Sequence, residues 1–127
     1  MTAWYSRPVL FVADIDRAST FYVERLGFSE TWRHVDGRAL VAQVERDGCE
    51  LLLSCQRPDK VGGAMTFVSL DRPEFEAVKA HMGGPGGAVR EGWWGYPCLI
   101  VTDPDGNDLY FPDPGDVDVG PDDMSVA

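Results

Sequence analysis

Apolar and polar residues follow one another along this chain in a pattern that runs through twice. Pro8-Val9-Leu10-Phe11-Val12-Ala13 is a short apolar run and reads as a strand. Pro8 has no N–H to give to a ladder, so it belongs at the strand start or at an edge. Asp14 then has the chemistry of a helix N-cap. Ile15, Ala18, Tyr22 and Leu26 recur at helical spacing, and Gly27 reads as the residue just past the helix end. Phe28 to His34, Ala39 to Glu45 and Cys49 to Cys55 read as three strands, separated by the turn pairs Asp36-Gly37 and Asp47-Gly48. The first half is therefore βαβββ.

The pattern restarts after a loop at Gln56 to Gly63. Ala64 to Leu70 is a strand that closes on Asp71, as the first strand closes on Asp14. Phe75, Val78 and Met82 make a helix face, with Pro73 in the first turn. Gly83 to Gly87 breaks that helix. The run carries no Lys-Ser/Thr and opens no helix, so it is a connection and not a phosphate cradle. Ala88 to Glu91, Cys98 to Val101 and Leu109 to Phe111 are the remaining strands. The last two flank Asp103-Pro104-Asp105-Gly106-Asn107, where Asp105-Gly106 signals a tight turn. The second half is again βαβββ, and an internal repeat of this kind constrains the fold more than any single residue.

Strand alternation sorts the side chains into two faces. Leu10 and Val12, then Leu51, Leu53 and Cys55, then Leu109 and Phe111 form an apolar set that should meet the helices. The other face carries Arg7, Val9 and Phe11, then Glu50, Leu52 and Ser54, then Asp108 and Tyr110. That mixture is either exposed to solvent or lines a cavity dotted with polar groups.

A chain of 127 residues with 44% hydrophobic residues is long enough for one cored domain. Its net charge of -10 repels phosphate backbones and argues against nucleic acid as a partner. The same charge attracts cationic small molecules, and also serves plain solubility. Cys49, Cys55 and Cys98 form no CxxC pair and read as core thiols. No apolar run is long enough to span a bilayer and no leader is evident, so the expected location is the cytoplasm. The stretch from Asp113 to Ala127 is acidic, contains Pro and Gly, and is expected to be disordered. Docking of Val117 and Val119 on a neighbour is the alternative.

Pro8 to Asp14, the Phe21-Tyr22…Leu26-Gly27-Phe28 helix end and Asp103-Pro104-Asp105-Gly106-Asn107 together resemble the vicinal-oxygen-chelate superfamily, over about Arg7 to Phe111. That superfamily includes glyoxalase I, extradiol dioxygenases, fosfomycin-resistance enzymes and bleomycin-resistance proteins. The resemblance implies an α+β fold of two βαβββ modules, about residues 7–56 and 63–112, forming curved mixed sheets around a cup. It also implies a homodimer, with the first strand near a seam. The enzymes hold a divalent metal with His and Glu from the first and last strands of each module. Those positions here are Arg7, Leu52, Ala64 and Tyr110, none a normal ligand for such an ion. His34 and His81 lie on other elements and read as surface residues.

The chain thus most resembles the bleomycin-resistance branch: a binding protein with no catalytic residue, metal or cofactor, sequestering an aromatic or cationic antibiotic or metabolite. The expected ligand contacts are Trp94, Tyr110, Trp32, Phe11, Arg7, Glu50, Leu52, Asp108 and Trp93. Trp93 and Trp94 are adjacent, so on a strand only one of them faces the core. A glyoxalase-like metal-dependent lyase or isomerase, or a dioxygenase, is the alternative. A metal-free enzyme using Glu50, Asp108 or Tyr110 as acid or base, or a regulatory or structural member, would also fit the pattern.

Overall fold

In a computed structural model of the chain, residues 4–82, 89–93 and 97–115 are described, with 89–93 described by their backbone alone. Asp14 caps the first helix as its chemistry allows. Its carboxylate accepts the Arg17 N–H at 2.9 Å, and the Ala18 N–H reaches its carbonyl at 3.1 Å. The helix α1 runs over Ile15–Thr20 and then widens into a π-helical turn, Phe21–Arg25. Ile15, Ala18, Tyr22 and Leu26 are buried, as their spacing requires. Gly27 ends the helix at φ 72°, and the Arg46 guanidinium donates to the Leu26 carbonyl at 2.6 Å.

The first sheet has strands β1 (Val9–Phe11), β2 (Ser29–Asp36), β3 (Arg38–Arg46) and β4 (Cys49–Ser54), in the order β1-β4-β3-β2. β1 runs parallel to β4, while β4–β3 and β3–β2 are antiparallel. Asp47 and Gly48 turn β3 into β4, both with positive φ, 50° and 87°. That is the primed-turn geometry a two-residue Asp-Gly loop favours. The helix α1 lies against β3 and β4. Leu10, Val12, Ala42, Val44, Leu51 and Leu53 are all buried, so the helix-facing side of this sheet is the apolar set expected from alternation.

The second sheet has β5 (Met65–Phe67), β6 (Val89–Trp93), β7 (Pro97–Thr102) and β8 (Asp108–Pro112), in the order β5-β8-β7-β6. This is the first order carried over four strands later, so the sequence repeat is a repeat of topology. Asp71 begins helix α2 (Arg72–Met82) as Asp14 begins α1, accepting the Glu74 N–H at 3.0 Å. Phe75, Val78 and Met82 are buried on α2, and Leu99, Val101, Leu109 and Phe111 are buried on the strands. β5 is three residues long, shorter than the expected Ala64 to Leu70. Arg72 holds the exit of β8 by bonds to Asp113 at 2.7 Å and to the Gly115 carbonyl. The Gly83-to-Gly87 connection and the chain after Gly115 lie outside the described residues.

The chain divides into two compact units, one containing residues up to Thr66 with Thr102–Asp108, the other Phe67–Val101 with the chain from Leu109. Within the first unit, the Asp103-to-Asn107 turn is the main polar knot. The Asp103 carboxylate is buried and accepts four hydrogen bonds. One oxygen takes the Asp105 and Asn107 N–H groups at 2.8 and 2.9 Å. The other takes the Tyr22 hydroxyl at 2.9 Å and the Asn107 amide at 3.1 Å. Asn107 itself donates to the Phe11 carbonyl at 3.0 Å and accepts the Ala64 N–H at 3.1 Å. Asp105 accepts the Ala13 N–H at 3.0 Å and the Arg17 guanidinium at 2.8 Å.

Gly62 shows how closely the chain passes this turn. Its φ is +81°, and a Cβ there would lie 2.5 Å from the Asp105 carbonyl oxygen. Gly37 has φ +76° but open space around it. Gly37→Ala is therefore expected to cost about 1 kcal/mol from backbone strain alone. Gly62→Ala should cost about 3 kcal/mol or more, because the backbone clash adds to that strain. Urea denaturation of the two variants measures the difference, and equal costs would refute the close approach.

Tyr22 gives a pH test. Burial, then the Asp103 and Asp105 charges, hold its phenol far above the ordinary tyrosine range. The folded state therefore keeps a proton that the unfolded state releases above about pH 10, so the stabilisation is full below that pH and falls as pH rises through it. The expected loss is up to about 1.4 kcal/mol per pH unit. Alkaline melting curves should be flatter for Tyr22→Phe than for the parent, while at neutral pH the variant should lose about 1–2 kcal/mol, because that Asp103 oxygen keeps only the Asn107 amide of its two donors.

Candidate functional site

The site is built by register on the side of the first sheet turned away from α1. Pairing sets Val9 beside Leu52, Leu52 beside Gln43, and Gln43 beside Trp32. One step along lie Phe11, Ser54, Val41 and His34, and in the other direction Glu50 faces Glu45. A register shift between Glu30 and Trp32 is what turns the indole onto this face.

Gln43 is the centre. It is only 5% exposed, and its amide is fully oriented by three neighbours. Its oxygen accepts the Arg7 guanidinium at 2.8 Å and the Trp32 indole N–H at 3.2 Å. Its nitrogen donates to Glu50 at 3.3 Å. Trp32 remains 44% exposed, so its polar edge is satisfied by the protein while part of its ring stays open. Arg7 also lies over the Tyr5 ring, 5.7 Å from its centroid. The face can therefore offer a fixed aromatic surface, a fixed cation and a fixed carboxylate, with half-buried Phe11 and Leu52 between them.

Of the nine expected contacts, Arg7, Trp32, Phe11, Glu50 and Leu52 thus share one face. Asp108 is placed elsewhere, at the neck of the β7–β8 hairpin, where it accepts the Thr102 hydroxyl at 2.6 Å. Tyr110 is buried in the second unit, its ring stacked on Phe67 at 4.9 Å and grouped with Cys98 and Ile100. Trp93 is described only by its backbone, which pairs with Pro97 at the end of β6. Trp94 lies outside the described residues. His34 and His81 are exposed, as expected of surface histidines.

Sequence reasoning missed Gln43 and Phe67. A signal for Gln43 exists: in Val41-Ala42-Gln43-Val44-Glu45 it falls at the alternate positions that share the mixed face. Phe67 carried no signal, because a strand expected to run on to Leu70 does not expose its middle.

The metal ligands implied by the family resemblance do not fit the side chains found. Arg7 places a permanent cation at the first position, bound to Gln43. Leu52 has no donor atom. Ala64 offers only backbone groups, its N–H donated to Asn107 and its carbonyl taken by the Asp108 N–H at 2.8 Å. Tyr110 is buried against Phe67. Among the described residues, no three His, Cys, Asp or Glu side chains gather as a metal-holding group. Burial pushes the Cys49 and Cys98 thiols up from their ordinary range, which disfavours the nucleophilic thiolate. A groove of about 330 Å³ lies at the other end of β3, lined by Gly27, Ser29, Glu45, Arg46 and Asp47. Arg46 there is engaged with the Leu26 carbonyl and with Asp47 at 3.7 Å.

Two four-stranded mixed sheets with the first strand beside the last, each with one helical crossover after its first strand, define the glyoxalase/bleomycin-resistance class of α+β folds. The family described as glyoxalase superfamily protein matches residues 4–118, and the chain belongs to it. No curated protein matches the sequence. Among solved structures, the chain is similar to lactoylglutathione lyase from Agrobacterium tumefaciens, with TM-score 0.68 and 17% identity over 88% of this chain and 95% of that one. It is similar to the bleomycin-binding protein of Streptomyces verticillus, solved with copper(II)-bleomycin, with TM-score 0.63 and 19% identity over 88% and 98% of the two chains. It is also similar to a glyoxalase/bleomycin resistance protein from Streptomyces sp. CB03234, with TM-score 0.63 and 22% identity over 84% and 99%. At these identities the likeness establishes the fold.

If Gln43 orients the face, Gln43→Leu should release it. The Trp32 indole N–H, identified by its loss in Trp32→Phe, is expected to exchange with solvent about fivefold faster or more, one lost hydrogen bond being worth about 1 kcal/mol or more. Indole N–H exchange by NMR reads this, and an unchanged rate would show that Gln43 does not hold the ring.

Proposed function

We propose that this chain is a metal-free small-molecule-binding protein of the bleomycin-resistance type, sequestering an aromatic or cationic antibiotic or metabolite. The observation that carries the reading is the Gln43 network. Three side chains from three separate stretches (Arg7, Trp32 and Glu50) are oriented by one nearly buried amide, yet among the described residues each keeps part of its recognition chemistry unused. Orientation without internal consumption suits a binding face. It lowers the ordering cost of a ligand, and sequestration requires affinity alone.

The mismatch of Arg7, Leu52 and Ala64 with a His/Glu metal set supports the metal-free part. The reading includes a homodimer with β1 near the seam. No helix among the described residues is long and apolar enough to cross a membrane. A metal-dependent lyase, isomerase or dioxygenase would need donors from outside the set that Arg7, Leu52, Ala64 and Tyr110 provide.

Two measurements on one preparation test the reading. Metal analysis of protein purified without chelator should give far less than one Ni, Mn, Zn or Fe per chain. Titration with bleomycin and other aromatic antibiotics, read by tryptophan fluorescence, should find a ligand whose affinity falls by about 1–3 kcal/mol in Trp32→Ala at unchanged melting temperature. A stoichiometric metal, or affinity indifferent to Trp32, overturns it.

A further inference from the structure

The polarity of the Gln43 face narrows the ligand beyond an aromatic or cationic one, provided that the face has the binding role proposed for it. Arg7 and Glu50 are held at the two ends of a single amide. Arg7 reaches its oxygen at 2.8 Å and Glu50 its nitrogen at 3.3 Å. Opposite charges this near each other on a protein surface ordinarily close into an ion pair, and here they do not. Among the described residues, the guanidinium meets the Gln43 oxygen and the Tyr5 ring, with no carboxylate. The Glu50 carboxylate meets the Gln43 nitrogen, with no cation.

The negative end is reinforced. Glu45 is the direct cross-strand partner of Glu50, so two like charges face each other on the same side of the sheet. Like charges in that position repel and are relieved by a cation between them. The positive end has four further guanidinium N–H donors in a planar fork, a geometry that matches a carboxylate. Trp32, with its N–H turned inward to Gln43, lies beside this charge pair.

We infer that the Gln43 face recognises a zwitterionic α-amino acid head group attached to an aromatic body: the carboxylate on Arg7, the ammonium between Glu50 and Glu45, and the ring on Trp32. An α-amino acid carries both charges on one carbon, so it spans the two ends of one amide without strain. A purely cationic ligand would leave Arg7 unpaired against it, and a purely anionic one would meet Glu50 and Glu45.

The test uses calorimetric titration of the full chain with L-phenylalanine, L-phenylalanine amide and N-acetyl-L-phenylalanine. The amide lacks the carboxylate and the acetyl derivative lacks the ammonium. L-Phenylalanine is expected to bind at least about tenfold more tightly than either capped form, as loss of one charge-assisted hydrogen bond implies. In Arg7→Gln the preference over the amide should vanish while the preference over the acetyl derivative remains. In Glu50→Gln the reverse should hold. Capped forms binding within twofold of L-phenylalanine would overturn the head-group assignment. So would antibiotics that bind through Trp32 while L-phenylalanine does not, a result that leaves the binding role standing. No binding by any amino acid or antibiotic would sink both.

Discussion

The first unit depends on one buried carboxylate. Asp103 is 5% exposed and carries four hydrogen bonds, which is what allows so polar a group to sit in an otherwise apolar interior. Two of its donors are backbone N–H groups of its own turn, so it fixes the turn's shape. A third is Tyr22, on the π-helical turn that follows α1. The fourth is Asn107, whose remaining bonds reach the end of β1 and the chain entering β5. A local turn thereby ties together segments 96 and 43 residues away in sequence. The arrangement is not free of cost. Asp105 packs beside it with a side chain 1% exposed, and its second oxygen has no hydrogen-bond partner among the described residues. The Arg17 ion pair and the Ala13 N–H, both on its first oxygen, offset that loss.

This knot positions the candidate site indirectly. Holding the Phe11 carbonyl, the Ala13 N–H and Arg17 fixes where β1 ends and α1 begins. β1 then pairs in parallel with β4 in one register, and that register decides that Val9 meets Leu52. A slip of one residue would turn Leu10 and Val12 out of the core and Phe11 into it. The buried helix-facing residues make such a slip expensive, so the polar face inherits its order from the apolar one.

Much of this was legible in the sequence because the signals are local. Asp14 and Asp71 are capping residues ahead of apolar periodicity, Gly27 ends a helix at positive φ, and Asp47-Gly48 makes a primed turn; each works within a few residues. Alternation likewise gave the buried sides of β1, β4 and β8. The Gln43 network was not legible, because its three partners lie 36, 11 and 7 residues away and meet only through two strand registers. One of those registers contains the irregularity between Glu30 and Trp32, which periodicity cannot locate. The π-helical turn escaped for a related reason. Tyr22 and Leu26 are spaced by four, as in an ordinary helix, and only the Phe28 N–H bonding to the Tyr22 carbonyl at 3.0 Å marks how that helix finishes. Tyr110 shows the opposite failure: its strand face was read correctly, but Phe67 covers it, and a stacking partner on another strand is invisible to alternation.

The neighbours of position 43 explain why it carries an amide. A carboxylate there would bind Arg7 more strongly, but it would stand against Glu50 and leave nothing to donate to it. An ammonium would satisfy Glu50 and repel Arg7, and the Trp32 N–H would lose its acceptor. A hydroxyl is too short to bridge three strands' worth of side chains. Only an amide presents an acceptor broad enough for two donors and, from the same planar group, a donor for a carboxylate. Being neutral, it orients both charges without cancelling either. The result is a surface whose centre is held by three hydrogen bonds and whose rim is electrostatically unfinished, with a chain charge of -10 to draw in the cationic part of whatever completes it.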